Sequence, residues 1–229
     1  GTANLPYFRK VKIMKELGEL VADFVILDLG SGSAYHTIDF FLMSAAGILV
    51  VTPETTSILN AYSFVKAALF RMLYRSFPAR SDERALIHRF TTERLEGTER
   101  STEALLDALG RLSAEAAETA RGRLASFLPR VVLNMGRTRR DVPLGAKLRQ
   151  VARKNLDLEV QYIGFLPRDE EVGASIIQRR PLLSVNPESA FARNLEQVTN
   201  RLLHEPVPGT PKLFEADEDL VELAEEASF

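Results

Sequence analysis

The chain has no cysteine, no tryptophan, three histidines and four methionines in 229 residues. Without cysteine there is no disulfide framework, no thiolate nucleophile and no cysteine metal site, a composition that fits a cytosolic protein. A surplus of charge is also missing: 29 basic residues face 31 acidic ones, giving a net charge of −2 and a pI near 6.0. No global field therefore draws the chain to nucleic acid or to an anionic membrane. Apolar runs are only strand-length, with no signal peptide or spanning helix among them, so a soluble protein is expected. His36, His88 and His204 are scattered and form neither an HExxH nor an i,i+4 metal pair. Ser31 and Ser33 lie near His36, but Leu29 and Tyr35 occupy positions where a G-x-S-x-G nucleophile turn needs glycine.

Hydrophobic residues make up 45% of the chain, enough for one large α/β domain. Four short apolar runs recur, at 24–27 (FVIL), 48–51 (ILVV), 131–133 (VVL) and 160–163 (VQYI). Their near-continuous hydrophobicity predicts strands buried on both faces, as in a parallel sheet flanked by helices. Helical periods fill the intervals. Residues 10–22 place Val11, Met14, Leu17 and Val21 on one stripe, and 55–74 carry Ile58, Ala61, Val65, Leu69 and Met72. Asp141, Val142 and Pro143 open a helix running to 154, Asp169 opens another toward 178, and Pro187 and Glu188 a third toward 203. Strand and helix alternate, which predicts βαβ crossovers and a three-layer, doubly wound, mostly parallel sheet.

Residues 81–126 interrupt this rhythm. They are charged and helical in composition, with Leu86, Phe90, Leu105, Leu109 and Leu112 as the apolar set, and read as a helical insertion forming a solvated layer on the main domain. The domain is thus expected over 1–204, followed at 205–229 by a PVPGTP linker and an acidic segment carrying Leu213, Phe214, Leu220, Val221 and Leu223. Its negative charge makes it a poor membrane anchor.

In a parallel sheet, ligands bind beyond the carboxyl ends of the strands. The turns following the four runs, Asp28-Leu29-Gly30-Ser31-Gly32, Thr52-Pro53-Glu54, Asn134-Met135-Gly136 and Gly164 through Asp169, are therefore expected along one rim. Asp28 is suited to hold Mg²⁺, Gly30 to let a backbone N–H approach a terminal phosphate, and the Asn134 amide to read the edge of a base. The basic clusters Arg137, Arg139, Arg140 and Arg179, Arg180 read as solvated surface.

Three segments, in order, resemble the MinD/ParA family of P-loop ATPases, especially its Mrp-like and FlhG-like branch. They are DLGSGSAYHTIDFFLMSAAGILVVTPETTSILNAYSFVKAA (28–68), VVLNMGRTRRDVPLGAKL (131–148) and YIGFLPRDEEVGASIIQRRPLL (162–183). The resemblance covers about 7–203, apart from the insertion. It implies that Asp28 is the catalytic aspartate at the end of the Walker B strand, holding Mg²⁺ through water. Gly30 matches the switch glycine facing the γ-phosphate. Pro53 and Glu54 match a turn beside the dimer interface, Asn134 the strand-end residue that reads adenine, and Pro167, Arg168 and Asp169 the loop over the base. ATP or ADP with Mg²⁺, a homodimer, a regulatory protein partner, and attachment to a membrane or DNA are what such a family member would use. A cytoplasmic location, peripheral to the membrane through a partner, goes with it.

One family part is not found. No G-x-x-x-x-G-K-[ST] loop occurs: GSGSAYHT lacks the lysine and the second glycine, and Gly145-Ala146-Lys147 is followed by leucine. By resemblance that loop precedes the Asp28 segment, so the natural protein is expected to carry it upstream. Its strand is expected to sit between the Asp28 and Asn134 strands; without it those strands would pair together, admit a strand from another chain or leave edges exposed. This polypeptide alone is expected to bind no ATP tightly. The alternative reading is a nucleotide-independent scaffold on a degenerate ATPase fold, working through the insertion and the acidic tail.

Overall fold

A computed structural model describes residues 7–92 and 101–204; the linker and acidic segment fall outside the described residues. The elements follow in the order α1 (Tyr7–Gly18), α2 (Tyr35–Phe41), β1 (Ile48–Val51), α3 (Thr55–Arg75), α4 (Asp82–Thr92), α5 (Thr102–Leu112), α6 (Ala114–Ser126), β2 (Arg130–Gly136), α7 (Pro143–Leu156), β3 (Gln161–Pro167), α8 (Glu170–Gln178), α9 (Leu182–Val185) and α10 (Ala190–His204). They divide into two compact units, one holding 46–65 and 128–204 of the described residues, the other 7–45 and 66–127.

The first unit contains a three-stranded parallel sheet in the order β1-β2-β3. Ile48 pairs with Arg130 and Val51 with Leu133, while Arg130 pairs with Gln161 and Gly136 with Pro167. The Asn134 strand is therefore central and paired on both sides. Of the outcomes expected without the phosphate-loop strand, pairing of the Asn134 strand with the Asp28 run is not seen; its neighbours are β1 and β3, and among the described residues the unpaired edges of the sheet belong to β3 and to β1. β1 also departs from two-sided burial, because Ile48 and Val50 are exposed while Val51 is buried. β2 matches the expectation, with Val131, Val132 and Leu133 all out of water. α10 lies on β3, closing a cluster of Val132, Ile163, Leu166 and Val198 to which Phe191, Leu195 and Leu202 add. Gly164 permits that approach: a Cβ there would stand 2.2 Å from Val198 Cγ2. α7 starts with the expected proline and packs on β2 and β3, where Gly145 meets the Tyr162 ring in the same way.

Residues 24–27 are not a strand. They form an irregular segment in the second unit, with Phe24 71% and Ile26 91% exposed. The composition favours a strand, but β structure requires a neighbour to complete its hydrogen bonds, and none of the described strands pairs with this run. The helix expected over 10–22 stops at Gly18, consistent with glycine at a helix end.

The second unit is helical. α4 packs on α5 and α5 on α6, and Ile87, Leu105, Leu109, Ala116 and Ala120 are buried, so the insertion has a core of its own. Ser101 and Ser113 cap α5 and α6, each hydroxyl accepting an N–H, from Ala104 (3.2 Å) and Ala116 (2.9 Å). Phe41 meets Phe127 edge-on at 6.5 Å. Asp39, wholly buried on α2, accepts from Lys10 Nζ of α1 and from Arg71 Nε of α3 at 3.0 Å, and the Arg71 guanidinium lies 4.9 Å over the Tyr35 ring. Arg84, also buried, donates to the Phe77 carbonyl at 2.7 Å and lies over Tyr74.

Candidate functional site

Three of the four polar turns follow the carboxyl ends of adjacent parallel strands, and so share one edge of the sheet. After β1, the Thr52 N–H donates to Ser57 Oγ at 3.0 Å, and the Glu54 carbonyl accepts from Ile58, opening α3. Glu54 is exposed at that helix start, where a carboxylate is favoured by the helix dipole. Pro53 precedes it, half-buried.

The end of β2 is the most unusual backbone of this edge. Met135 has φ 59°, a left-handed conformation that non-glycine residues seldom adopt, and the pairing register shifts between Leu133 and Gly136. The Asn134 side chain stabilises the kink, its Oδ1 accepting from the Met135 N–H at 2.9 Å. Gly136 cannot be replaced by a larger residue without movement, because a Cβ would lie 2.0 Å from the Phe165 ring. Its carbonyl accepts from Arg168 N–H at 2.8 Å, tying the β2 turn to the β3 turn. Asp141 closes the following loop: Oδ2 accepts from the N–H groups of Arg137 (2.8 Å) and Thr138 (2.9 Å), and these bonds hold its carboxyl below the usual range. Arg137, Arg139 and Arg140 are exposed around it.

At the end of β3, Pro167 is half-buried and Arg168 exposed. Asp169 is committed to structure. One carboxylate oxygen caps α8 through Glu171 N–H at 3.0 Å, and the other accepts from Phe191 N–H at the start of α10, at 3.3 Å. Away from the edge, a cleft of about 360 Å³ opens over β3, lined by Val142, Tyr162, Phe165, Asn194, Gln197 and Arg201. Burial pushes the Tyr162 hydroxyl up in pKa, opposed by Arg201, whose own Nη1 donates to the Ile163 carbonyl at 2.7 Å.

The fourth turn is not on this edge. Asp28 and Gly30 belong to the other unit and are exposed in irregular chain, so Asp28 does not end a strand as expected. A Cβ on Gly30 would meet nothing within 4 Å, and among the described residues no group of three or more acidic or histidine side chains could hold a metal. The edge thus brings together the turns of Asn134 and of Pro167 to Asp169, while Asp28 and Gly30 belong to the other unit.

The sequence signals for the missed features were partial. Asp39 stands between Ile38 and Phe40, an acid in an apolar helix; its partners Lys10 and Arg71 are 29 and 32 residues away, beyond any local pattern. No helix among the described residues is long and apolar enough to cross a membrane. No protein-family model matches the chain, and no curated protein matches it.

Proposed function

We propose that this chain is the C-terminal portion of an ATP-dependent dimerising switch of the MinD/ParA kind, regulating the position or number of cellular structures such as division sites, flagella, chromosomes or plasmids. The observation that carries the reading is the shared edge of Thr52-Pro53-Glu54, Asn134-Met135-Gly136 and Pro167-Arg168-Asp169 on adjacent parallel strands. Carboxyl ends of parallel strands are where such folds bind nucleotides. In this reading Asn134 contacts the base, the loop at Pro167 and Arg168 covers it, and Asp169 holds that loop rigid from behind. Pro53 and Glu54 lie toward a homodimer interface. Asp28 supplies the carboxylate for Mg²⁺ once a phosphate loop is in place, and a protein partner, membrane or DNA receives the dimer.

The complete reading frame tests this. Its product is expected to sediment as a dimer with a non-hydrolysable ATP analogue and as a monomer with ADP, with Asp28→Ala remaining monomeric in both. A second reading, the nucleotide-independent scaffold, draws on the exposure of Asp28 and Gly30 in irregular chain. It predicts a reading frame without a phosphate loop and identical sedimentation with either nucleotide.

A further inference from the structure

We propose that the cleft over β3 binds a small organic acid, a single carboxylate on an apolar body, held through Tyr162 and Arg201. The cleft goes with a bulge. Tyr162 pairs with Val131 and Gly164 with Val132, so Ile163 is one residue too many for the neighbouring strand and the ladder is broken there. Bulges bend a strand and re-aim the side chains beside them, and they gather at sheet edges and binding sites. This one lies on β3, whose far side is an unpaired edge among the described residues. α7 approaches the strand with Gly145 against the Tyr162 ring, and α10 with Val198 against Gly164. The walls of the cleft come from Val142 at the start of α7, from β3 and from α10.

Two groups on these walls suit an anion. The Tyr162 hydroxyl is out of water and, among the described residues, has no hydrogen-bond partner. A buried hydroxyl in that state is costly, and nearly all find an acceptor. Burial raises its pKa, which keeps its proton in place at neutral pH and leaves it a donor. Arg201 is near enough to act electrostatically on this hydroxyl, and Nη1 fixes the guanidinium by donating to the Ile163 carbonyl at 2.7 Å. Among the described residues no carboxylate pairs with it.

The remaining walls select the class of ligand. Arg201 is the one charged residue among those lining the cleft; a phosphate dianion calls for more than one cation, whereas a carboxylate is matched by a single guanidinium. Asn194 and Gln197 add amides on α10, while Val142 and Phe165 offer apolar surface for the ligand's body. The volume of about 360 Å³ lies at the lower limit of small-molecule sites, roughly 300–1,000 Å³. It suits one aromatic or branched acid rather than a nucleotide.

3-Phenylpropionate is the probe, with 3-phenylpropionamide as its neutral match. The chain has five tyrosines and no tryptophan, so incorporated 3-fluorotyrosine gives five fluorine resonances, and that of Tyr162 is the one lost in Tyr162→Phe. In the full chain this resonance is expected to move saturably with phenylpropionate, with a dissociation constant of about 1 mM or below, and the amide should bind at least about fivefold more weakly. Arg201→Gln should weaken the acid about tenfold, and Arg201→Lys less, since lysine keeps the charge without the fork. Val142→Trp, a change at an exposed position that fills the cleft, should abolish the shift while the other four resonances stay in place. No saturable shift up to about 20 mM, equal affinity for acid and amide, or unchanged binding by Val142→Trp would overturn the proposal. So would displacement of phenylpropionate by inorganic phosphate at comparable concentration, which would assign the cleft to a phosphate group.

Discussion

Asp39 sits out of water between Lys10 and Arg71, and the balance of effects on it is clear. Burial alone would raise its pKa; the charges and hydrogen bonds of Arg71 and then Lys10 outweigh this and hold it below the ordinary value. Its stabilising contribution is therefore complete above the unfolded aspartate pKa of about 3.9 and is lost as pH falls through the lower folded value. Asp39→Asn should remove the buried carboxylate that Lys10 and Arg71 share and cost about 3–5 kcal/mol in urea unfolding, and it should remove that acid-range loss. A cost below about 1 kcal/mol would show that the two cations do not depend on the carboxylate. The same residue shows what a sequence conveys. An acid flanked by Ile38 and Phe40 is visible as an anomaly, but the cations answering it come from two other helices and appear only on folding. Asn134 and Asp169 were legible as strand-end and helix-start residues. The left-handed Met135 between Asn134 and Gly136 was not, because no local preference of methionine announces it.

Among elements, the strands divide by how much they depend on neighbours. β2 was readable because its apolar run is buried on both faces, and α8 because Asp169 is a strong cap. Residues 24–27 have the same composition as a buried strand and form none, since β structure is decided by a pairing partner that local sequence does not specify. Ile26→Asp is accordingly expected to change stability by no more than about 0.5 kcal/mol, read by thermal or urea unfolding. A loss above about 2 kcal/mol would mean the run is buried after all. The contact of α10 with β3 makes the opposite prediction. Gly164→Ala drives a methyl into Val198 and should cost about 1–3 kcal/mol, with Val198→Ala recovering much of it in a double-mutant cycle. Additive losses would place the strain elsewhere.

At the scale of the whole molecule, a parallel sheet puts three of the four polar turns on one edge, as the alternation of strand and helix predicts, and that much of the candidate site was written in the sequence. The fourth turn failed with its strand. Asp28 lies in the other unit, exposed, and among the described residues it joins no group of three acidic or histidine side chains that could hold a metal. The nearly balanced charge gives no compensating field that would draw in a nucleotide by electrostatics alone. A calorimetric titration of this chain with MgATP is the decisive measurement. No saturable heat is expected up to roughly millimolar nucleotide, because the contact proposed for Asn134 with a base would lack the phosphate interactions that dominate affinity in P-loop sites. Micromolar binding that Asp28→Ala abolishes would contradict this, and would place Asp28 in an assembled site within the polypeptide as it stands.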